Sequence, residues 1–97
     1  MNRTITATDR CDRKLCFELG RYGMTETGKG RSLYSATRLA MHRALAGRKP
    51  ISVLRYRIGK EVCYVDVVRM PGCSLRIGCC LFTGSDADAL RKWALSK

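Results

Sequence analysis

Apolar and polar residues alternate most regularly between Ile51 and Phe82, a stretch that is also rich in β-branched residues. A two-residue period is typical of strands with one buried face, and a short hairpin loop that begins with glycine suits the twist of its flanking strands. Turn dipeptides at Gly59-Lys60 and Pro71-Gly72 divide the stretch. The pattern therefore predicts a three-stranded antiparallel meander.

The first turn also predicts the register of the first hairpin. A loop of Gly59-Lys60 alone pairs Ile58 with Glu61, Tyr56 with Cys63 and Leu54 with Val65 on one face, and Arg57 with Val62 and Arg55 with Tyr64 on the other. One face of this hairpin is then apolar, and the other is basic.

The second turn is predicted to be an odd loop. A slip of one residue moves every side chain of a strand to the opposite face, so an even loop would put the apolar residues of the third strand on the basic face. We therefore predict that Pro71–Cys73 forms the loop, with a bulge. This register buries Leu75, Ile77, Cys79 and Leu81 and places Arg76 outside, beside Arg55 and Arg57.

The remaining elements are a strand and two helices. Leu15, Phe17 and Leu19 alternate with polar residues and predict a strand from Lys14. A helical stripe predicts a helix over Ser32–Ala46, capped by Ser32 and ended by Gly47, and a second over Asp86–Leu95, capped by Ser85, with Trp93 in the core. Residues 1–12 show no period and are predicted to be a flexible lead-in to a single domain with its core in 13–97.

These elements predict an α+β fold, a small antiparallel β-meander of three to four strands packed with two α-helices in the order β-α-β-β-β-α. From Ser32 onward this order is similar to that of double-stranded RNA-binding domains. The stretch LRIGCCLFTGSDADALRKWA, with the strands before it, resembles the three-strand-plus-helix DNA-binding modules of plant transcription factors and integrase arm domains. The resemblance favours nucleic-acid binding but transfers no site residue, because Asp86 and Asp88 stand where a double-stranded RNA binder is basic.

Charge points to the class of partner. The chain of 97 residues carries 19 Lys and Arg against 8 Asp and Glu, a formal net charge of +11 that favours a polyanionic partner. Its polar opening lacks the apolar core of a signal peptide, and no apolar run is long enough to span a membrane. We therefore predict a cytoplasmic protein whose six cysteines are reduced thiols.

Enzyme and cofactor motifs are incomplete. The stretch GMTETGKG resembles a phosphate-binding loop but has Gly30 in place of the final hydroxyl residue, which favours a single backbone phosphate held by Lys29, Arg31 and the start of the first helix. The cysteine spacings and the lone His42 do not match zinc sites, leaving open only a site built from distant cysteines. We predict no catalytic residue, no metal and no cofactor.

Two functional hypotheses remain. The first is a small, non-enzymatic nucleic-acid-binding protein that contacts the phosphate backbone of DNA or RNA, with the site residues Lys29, Arg31, Arg38, Arg55, Arg57, Tyr64 and Arg76. The alternative is an inhibitor or adaptor, of the phage or mobile-element type, that docks on an acidic surface of a host protein complex such as a defence or nucleic-acid-processing machine. A homodimer is compatible with both. Both require that no helix covers the basic face of the sheet.

Overall fold

The computed structural model describes residues 3–27, 35–47, 49–58 and 60–96. Antiparallel strands follow one another in chain order around a closed barrel of eight. The strands are β1 (Arg3–Thr8), β2 (Lys14–Leu19), β3 (Gly23–Thr27), β4 (Ser35–Thr37), β5 (Ile51–Ile58), β6 (Glu61–Arg69), β7 (Leu75–Ile77) and β8 (Cys80–Phe82). The helices are α1 (Arg38–Ala46) and α2 (Gly84–Leu95).

The predicted meander of three to four strands, in the order β-α-β-β-β-α, is wrong. The residues predicted as a flexible lead-in form β1, which pairs along its whole length with β2 and closes the barrel where Thr8 pairs with Leu81. Ile5 and Ala7 of β1 are buried in the core. The stretch that resembles a phosphate-binding loop begins with β3, paired with β2. The resemblances to nucleic-acid-binding modules depended on the predicted element order, so the observed order does not support them.

The register of the β5–β6 hairpin is confirmed at every predicted pair. The odd loop is also confirmed, because the Met70 N–H donates to the Ser74 carbonyl at 2.9 Å and closes a loop of Pro71–Cys73. Leu75 and Ile77 are buried as that loop requires.

The predicted third strand of the meander is interrupted. Gly78, with a φ of 60°, makes a tight turn with Cys79, and Ile77 then pairs with Cys80. This left-handed conformation favours glycine, and the reversal changes which side chains face the core. The prediction that Cys79 and Leu81 are buried is therefore wrong: Cys79 is exposed, and Leu81 is half-buried.

Both helices begin at residues other than those predicted. The helix predicted from Ser32, which lies outside the described residues, starts at Arg38, because Ser35–Thr37 pairs as β4 and the Thr37 hydroxyl accepts the Ala40 N–H at 3.1 Å. Gly47 follows its end as predicted. The helix predicted from Asp86 starts at Gly84 and ends at Leu95 as predicted.

One hydrophobic cluster joins the barrel to both helices. Phe17 and Phe82 lie with ring centroids 5.4 Å apart, and Ala87, Leu90 and Ala94 of α2 are buried against the same cluster. Trp93 packs on it as predicted, while its Nε1 donates to the Gly20 carbonyl at 2.7 Å. Neither described helix combines the length and the apolar character needed to cross a membrane.

The outer face of the β5–β6 hairpin is open to solvent. Val53 is 59% exposed and Tyr64 is 68% exposed, and Arg55 and Arg57 are exposed on the same face. α2 packs instead against α1 and β1. The condition that no described helix covers this basic face is therefore met.

Candidate nucleic-acid interface

A groove of about 570 Å³ lies where β4 diverges from β5, beside the first turn of α1. Among the described residues, one pair joins the two strands, Ser35 with Arg57, so the sheet opens beyond this pair toward Thr37. Residues of β3, β4, α1 and β5 line the groove. The divergence of β4 from β5 and the turn into α1 therefore create this surface together.

Arg43, Arg55 and Arg57 line the groove, and no carboxylate is part of its described lining. The ion pairs of Arg13 with Asp9 and of Arg91 with Asp88 both lie outside the groove. No carboxylate of the described lining therefore offsets the charge of the groove arginines. A concave surface with charge of one sign concentrates counter-ions of the opposite sign.

Local structure explains why these arginines point outward. Arg55 and Arg57 alternate along β5 with Leu54, which is buried, and Tyr56, which is half-buried. Arg43 lies one helical turn after Leu39 on α1, away from the buried face of that helix.

Exposed aromatic and aliphatic side chains accompany the charges. Tyr22, Leu39 and Val53 line the groove and are 77%, 58% and 59% exposed. The guanidinium of Arg21 lies 5.4 Å from the centre of the Tyr22 ring. Tyr64 lies outside the groove lining but directly opposite Arg55 on the outer face of the sheet. Exposed apolar residues grouped together often mark a binding surface.

The N-terminal turn of α1 also faces this region. Thr37, Leu39 and Ala40 line the groove, and a second hollow of about 420 Å³ adjoins it at Tyr22, Thr37 and Leu39. The first turn of α1 contains no acidic residue. The positive end of the helix dipole therefore adds to the field of the arginines.

Arg38, predicted as a phosphate contact, is engaged with the end of α2. Its Nε donates to the Trp93 carbonyl at 2.9 Å, and its Nη2 donates to the carbonyl of Ser96 at 3.0 Å and to the Ser96 hydroxyl. The Nδ1 of His42 lies 3.0 Å from the carbonyl of Ala94, and because a carbonyl only accepts, this nitrogen carries the proton. Both side chains cap α2, so Arg38 has a structural role, and its predicted phosphate contact stays a prediction.

Arg76 does not lie beside the other arginines as predicted. Arg76 pairs with Val68, and Val68 pairs with Ile51. Ile51 is four positions from Arg55 along β5, so Arg76 is displaced from Arg55 by about 13 Å in the strand direction alone. Its Nη1 donates to the Gly78 carbonyl at 2.6 Å. Arg76 therefore supports the β7–β8 turn.

Lys29 and Arg31 lie outside the described residues. The described part of the motif that resembled a phosphate-binding loop, Gly23–Thr27, is β3, paired with β2 on one side and β4 on the other. Its backbone N–H groups therefore serve a sheet rather than a phosphate cradle.

The cysteines are free thiols, and two of them, Cys63 and Cys79, lie near Tyr56. Burial and, to a smaller extent, the neighbouring Cys79 raise the pKa of Cys80 to about 12. The pKa of Tyr56 is also raised, by burial and by Cys63. A thiol nucleophile needs a lowered pKa, so Cys80 is poorly suited to that role. No group of three or more metal-ligating side chains comes together among the residues that the structure describes.

Sequence reasoning missed Arg43, Tyr22 and Leu39. Leu39 and Arg43 share one side of the predicted helix as well as of the observed one, but nothing in the sequence shows that this side lines a groove. Tyr22 lies in the turn between β2 and β3, where no periodic signal marks it. No family model matches the chain, and no curated protein or solved structure is significantly similar to it.

Proposed function

We propose that this protein is a non-enzymatic nucleic-acid-binding protein that holds a single-stranded segment of DNA or RNA along the groove between β4, β5 and α1. One observation carries the proposal. Arg43, Arg55 and Arg57 surround a groove without a described carboxylate, and exposed Tyr22 lines the same groove.

The arginines suit phosphate. A guanidinium donates two parallel hydrogen bonds to phosphate oxygens, and it stays charged at every physiological pH. Arg55 and Arg57 lie about 7 Å apart along β5, so they can contact separate phosphate oxygens of one backbone. Such contacts give affinity without reading sequence.

The tyrosines favour a single strand over a duplex. Unpaired bases stack on exposed aromatic rings, and each such contact is worth about 1–3 kcal/mol. Tyr22 and Tyr64 offer rings on the two sides of Arg55 and Arg57, across the outer surface of the barrel. A duplex keeps its base faces stacked inside, so it could use the arginines but not the rings.

Fluorescence anisotropy with labelled single-stranded DNA, single-stranded RNA and a duplex of equal length tests the proposal. Each of Arg43→Ala, Arg55→Ala and Arg57→Ala should weaken single-strand binding by about tenfold, because a hydrogen bond to a charged group contributes about 1.5–3 kcal/mol. Tyr22→Phe should bind like the wild type, whereas Tyr22→Ala should lose affinity for the single strand more than for the duplex.

Lys92→Ala is the matched control, because it removes one positive charge from an exposed position on α2 outside the groove. Lys92→Ala should change the affinity for the single strand by less than about twofold, because salt screens an exposed charge that lies outside the groove. Equal losses at Lys92 and at the groove arginines would contradict the proposal, as would a protein that binds no nucleic acid at low salt and instead forms a complex with an acidic protein.

A further inference from the structure

The second hollow, of about 420 Å³, is lined by the start of α1 and the end of α2. It shares Tyr22, Thr37 and Leu39 with the groove, but it contains none of the three groove arginines. A cavity of this size is typical of sites for small molecules. A strand held in the groove therefore passes directly beside a space in which it could place one of its groups.

The lining of this hollow suits a flat aromatic group. Tyr22 and Leu39, which are 77% and 58% exposed, present an aromatic ring and an apolar side chain. Arg21 and Arg38 supply positive charge, and no carboxylate is part of the described lining. Proteins that bind single strands combine aromatic rings, on which bases stack, with positive charge for the backbone. The lining therefore favours a nucleobase as the occupant.

One acceptor in the hollow is left for a ligand. Arg38 and the Ser96 hydroxyl both donate to the Trp93 carbonyl, at 2.9 and 3.1 Å. The Nδ1 of His42 donates to the Ala94 carbonyl at 3.0 Å, and the Nε2 of the same ring has no partner among the described residues. Because Nδ1 carries the proton, Nε2 of the neutral ring is an acceptor. A ligand of this hollow can therefore satisfy Nε2 with an N–H donor.

We propose that the hollow takes one unpaired base of the strand bound in the groove, stacked beside Tyr22, with an N–H of its Watson–Crick edge donating to Nε2 of His42. This base site rests on the proposed function, because the strand in the groove supplies the base. Every common base has such an N–H, in the amino group of adenine, cytosine and guanine or at N3 of thymine and uracil. The contact therefore detects an unpaired base without reading its identity.

Base pairing would keep a duplex out of the hollow. In a duplex the same N–H groups are bonded to the opposite strand, and the faces of the bases are stacked on one another. A duplex could fill the hollow only by opening a base pair, which costs both unstacking and unpairing. His42 would therefore add to the preference for single strands that the exposed tyrosines provide.

Oligothymidylate separates this hydrogen bond from stacking and charge, because thymine has a single N–H donor, at N3. Methylation of N3 throughout the oligonucleotide removes that donor and keeps the phosphates and the aromatic rings. At pH 8 the wild type should bind the methylated strand about threefold to tenfold more weakly than the unmodified strand, as measured by fluorescence anisotropy.

Two variants of His42 separate its contact with α2 from its contact with the base. His42→Asn keeps an N–H near the position of Nδ1, and so the bond to Ala94, but it has no acceptor at the position of Nε2. It should unfold in urea like the wild type and bind both strands equally, with the affinity that the wild type has for the methylated strand. His42→Gln places its amide oxygen near the position of Nε2, so it should again prefer the unmodified strand.

Arg57→Ala is the matched control, because it removes a proposed phosphate contact and leaves the hollow intact. It should weaken binding of both strands alike and keep the preference for the unmodified one. A mononucleotide then tests the hollow without the groove. Thymidine 5′-monophosphate should shift the Nε2 resonance of His42 in nitrogen NMR spectra, and the N3-methylated nucleotide should shift it less.

Equal binding of the two strands by the wild type would overturn the base site and leave the proposed function intact. A preference that His42→Asn retains in full would also overturn it, since another acceptor would then hold the base. A shift of the His42 resonance in a protein that binds no strand would support the base site and reject the proposed function. Absence of both the shift and strand binding would reject the two together.

Discussion

Arg38 is expected to stabilise the fold and to contribute little to ligand binding. Its guanidinium holds the C-terminal end of α2 through the carbonyls of Trp93 and Ser96 and the Ser96 hydroxyl. Truncation by Arg38→Ala removes all of these bonds and the positive charge at the negative end of the α2 dipole.

The expected magnitude follows from the exposure of each bond. The bond to Trp93 is partly buried, and a hydrogen bond to a charged group contributes about 1.5–3 kcal/mol. The bonds to Ser96 are exposed and compete with water, and a cation at a helix C-terminus adds about 0.3–1 kcal/mol. We therefore expect Arg38→Ala to lower the free energy of unfolding by about 2–3 kcal/mol, which corresponds to a fall in Tm of roughly 8–20 °C.

Urea and thermal unfolding, followed by circular dichroism, measure this loss. Arg38→Lys keeps the charge but not the planar fork, and it should be intermediate. Arg43→Ala is the matched control on the same helix, since its exposed side chain should change stability by less than about 0.5 kcal/mol. Arg38→Ala would refute the reasoning if it unfolded like the wild type while losing nucleic-acid affinity as strongly as Arg43→Ala.

Three further outcomes are expected. Asp86→Ala should destabilise the protein by about 1–3 kcal/mol in urea unfolding. The Asp86 carboxylate joins α2 to β1, because it accepts the N–H of Thr6 at 3.1 Å and the hydroxyl of Thr6 at 3.3 Å. Asp88→Ala, at an exposed position of the same helix, should be nearly neutral. Phe82→Ala should cost about 3–5 kcal/mol, since Phe82 is fully buried against Phe17, and an unchanged urea midpoint would show that the barrel core is packed differently. With its pKa raised to about 12, the Cys80 thiol should remain almost wholly protonated at pH 8. It should therefore resist iodoacetamide while the exposed Cys11 and Cys73 react, as judged by peptide mass spectrometry. Alkylation of Cys80 at the same rate as Cys11 and Cys73 would contradict its burial.

The β5–β6 hairpin shows what the sequence can predict. Alternation and a glycine turn act locally, so Leu54 opposite Val65 and Arg55 opposite Tyr64 followed from the chain alone. β1 was missed although Ile5 and Ala7 alternate with strand-favouring threonines, because two apolar residues make a weak period, and they are buried only when β1 pairs with β2. β4 was mistaken for helix because Ala36 suits the apolar face of either structure.

The candidate site was predictable to the same extent. Arg55 and Arg57 followed from the two-residue period, whereas Arg43 and Tyr22 lie beside them only because β4 joins β3 to β5 and leads into α1. Arg38 was assigned to the interface because the helical wheel placed it on the outer side. Its partner, the end of α2, lies far along the chain, and no local pattern reveals such a contact.

The salt dependence of single-strand binding tests the central claim most directly. The logarithm of the binding constant should fall linearly with the logarithm of salt concentration for the wild type. The variant carrying Arg43→Ala, Arg55→Ala and Arg57→Ala should have a shallower slope, by about 0.7 for each lost phosphate contact and hence by about 2 in all. An unchanged slope, or a wild-type protein that binds no single strand at low salt, would contradict the assignment of these arginines to the phosphate backbone.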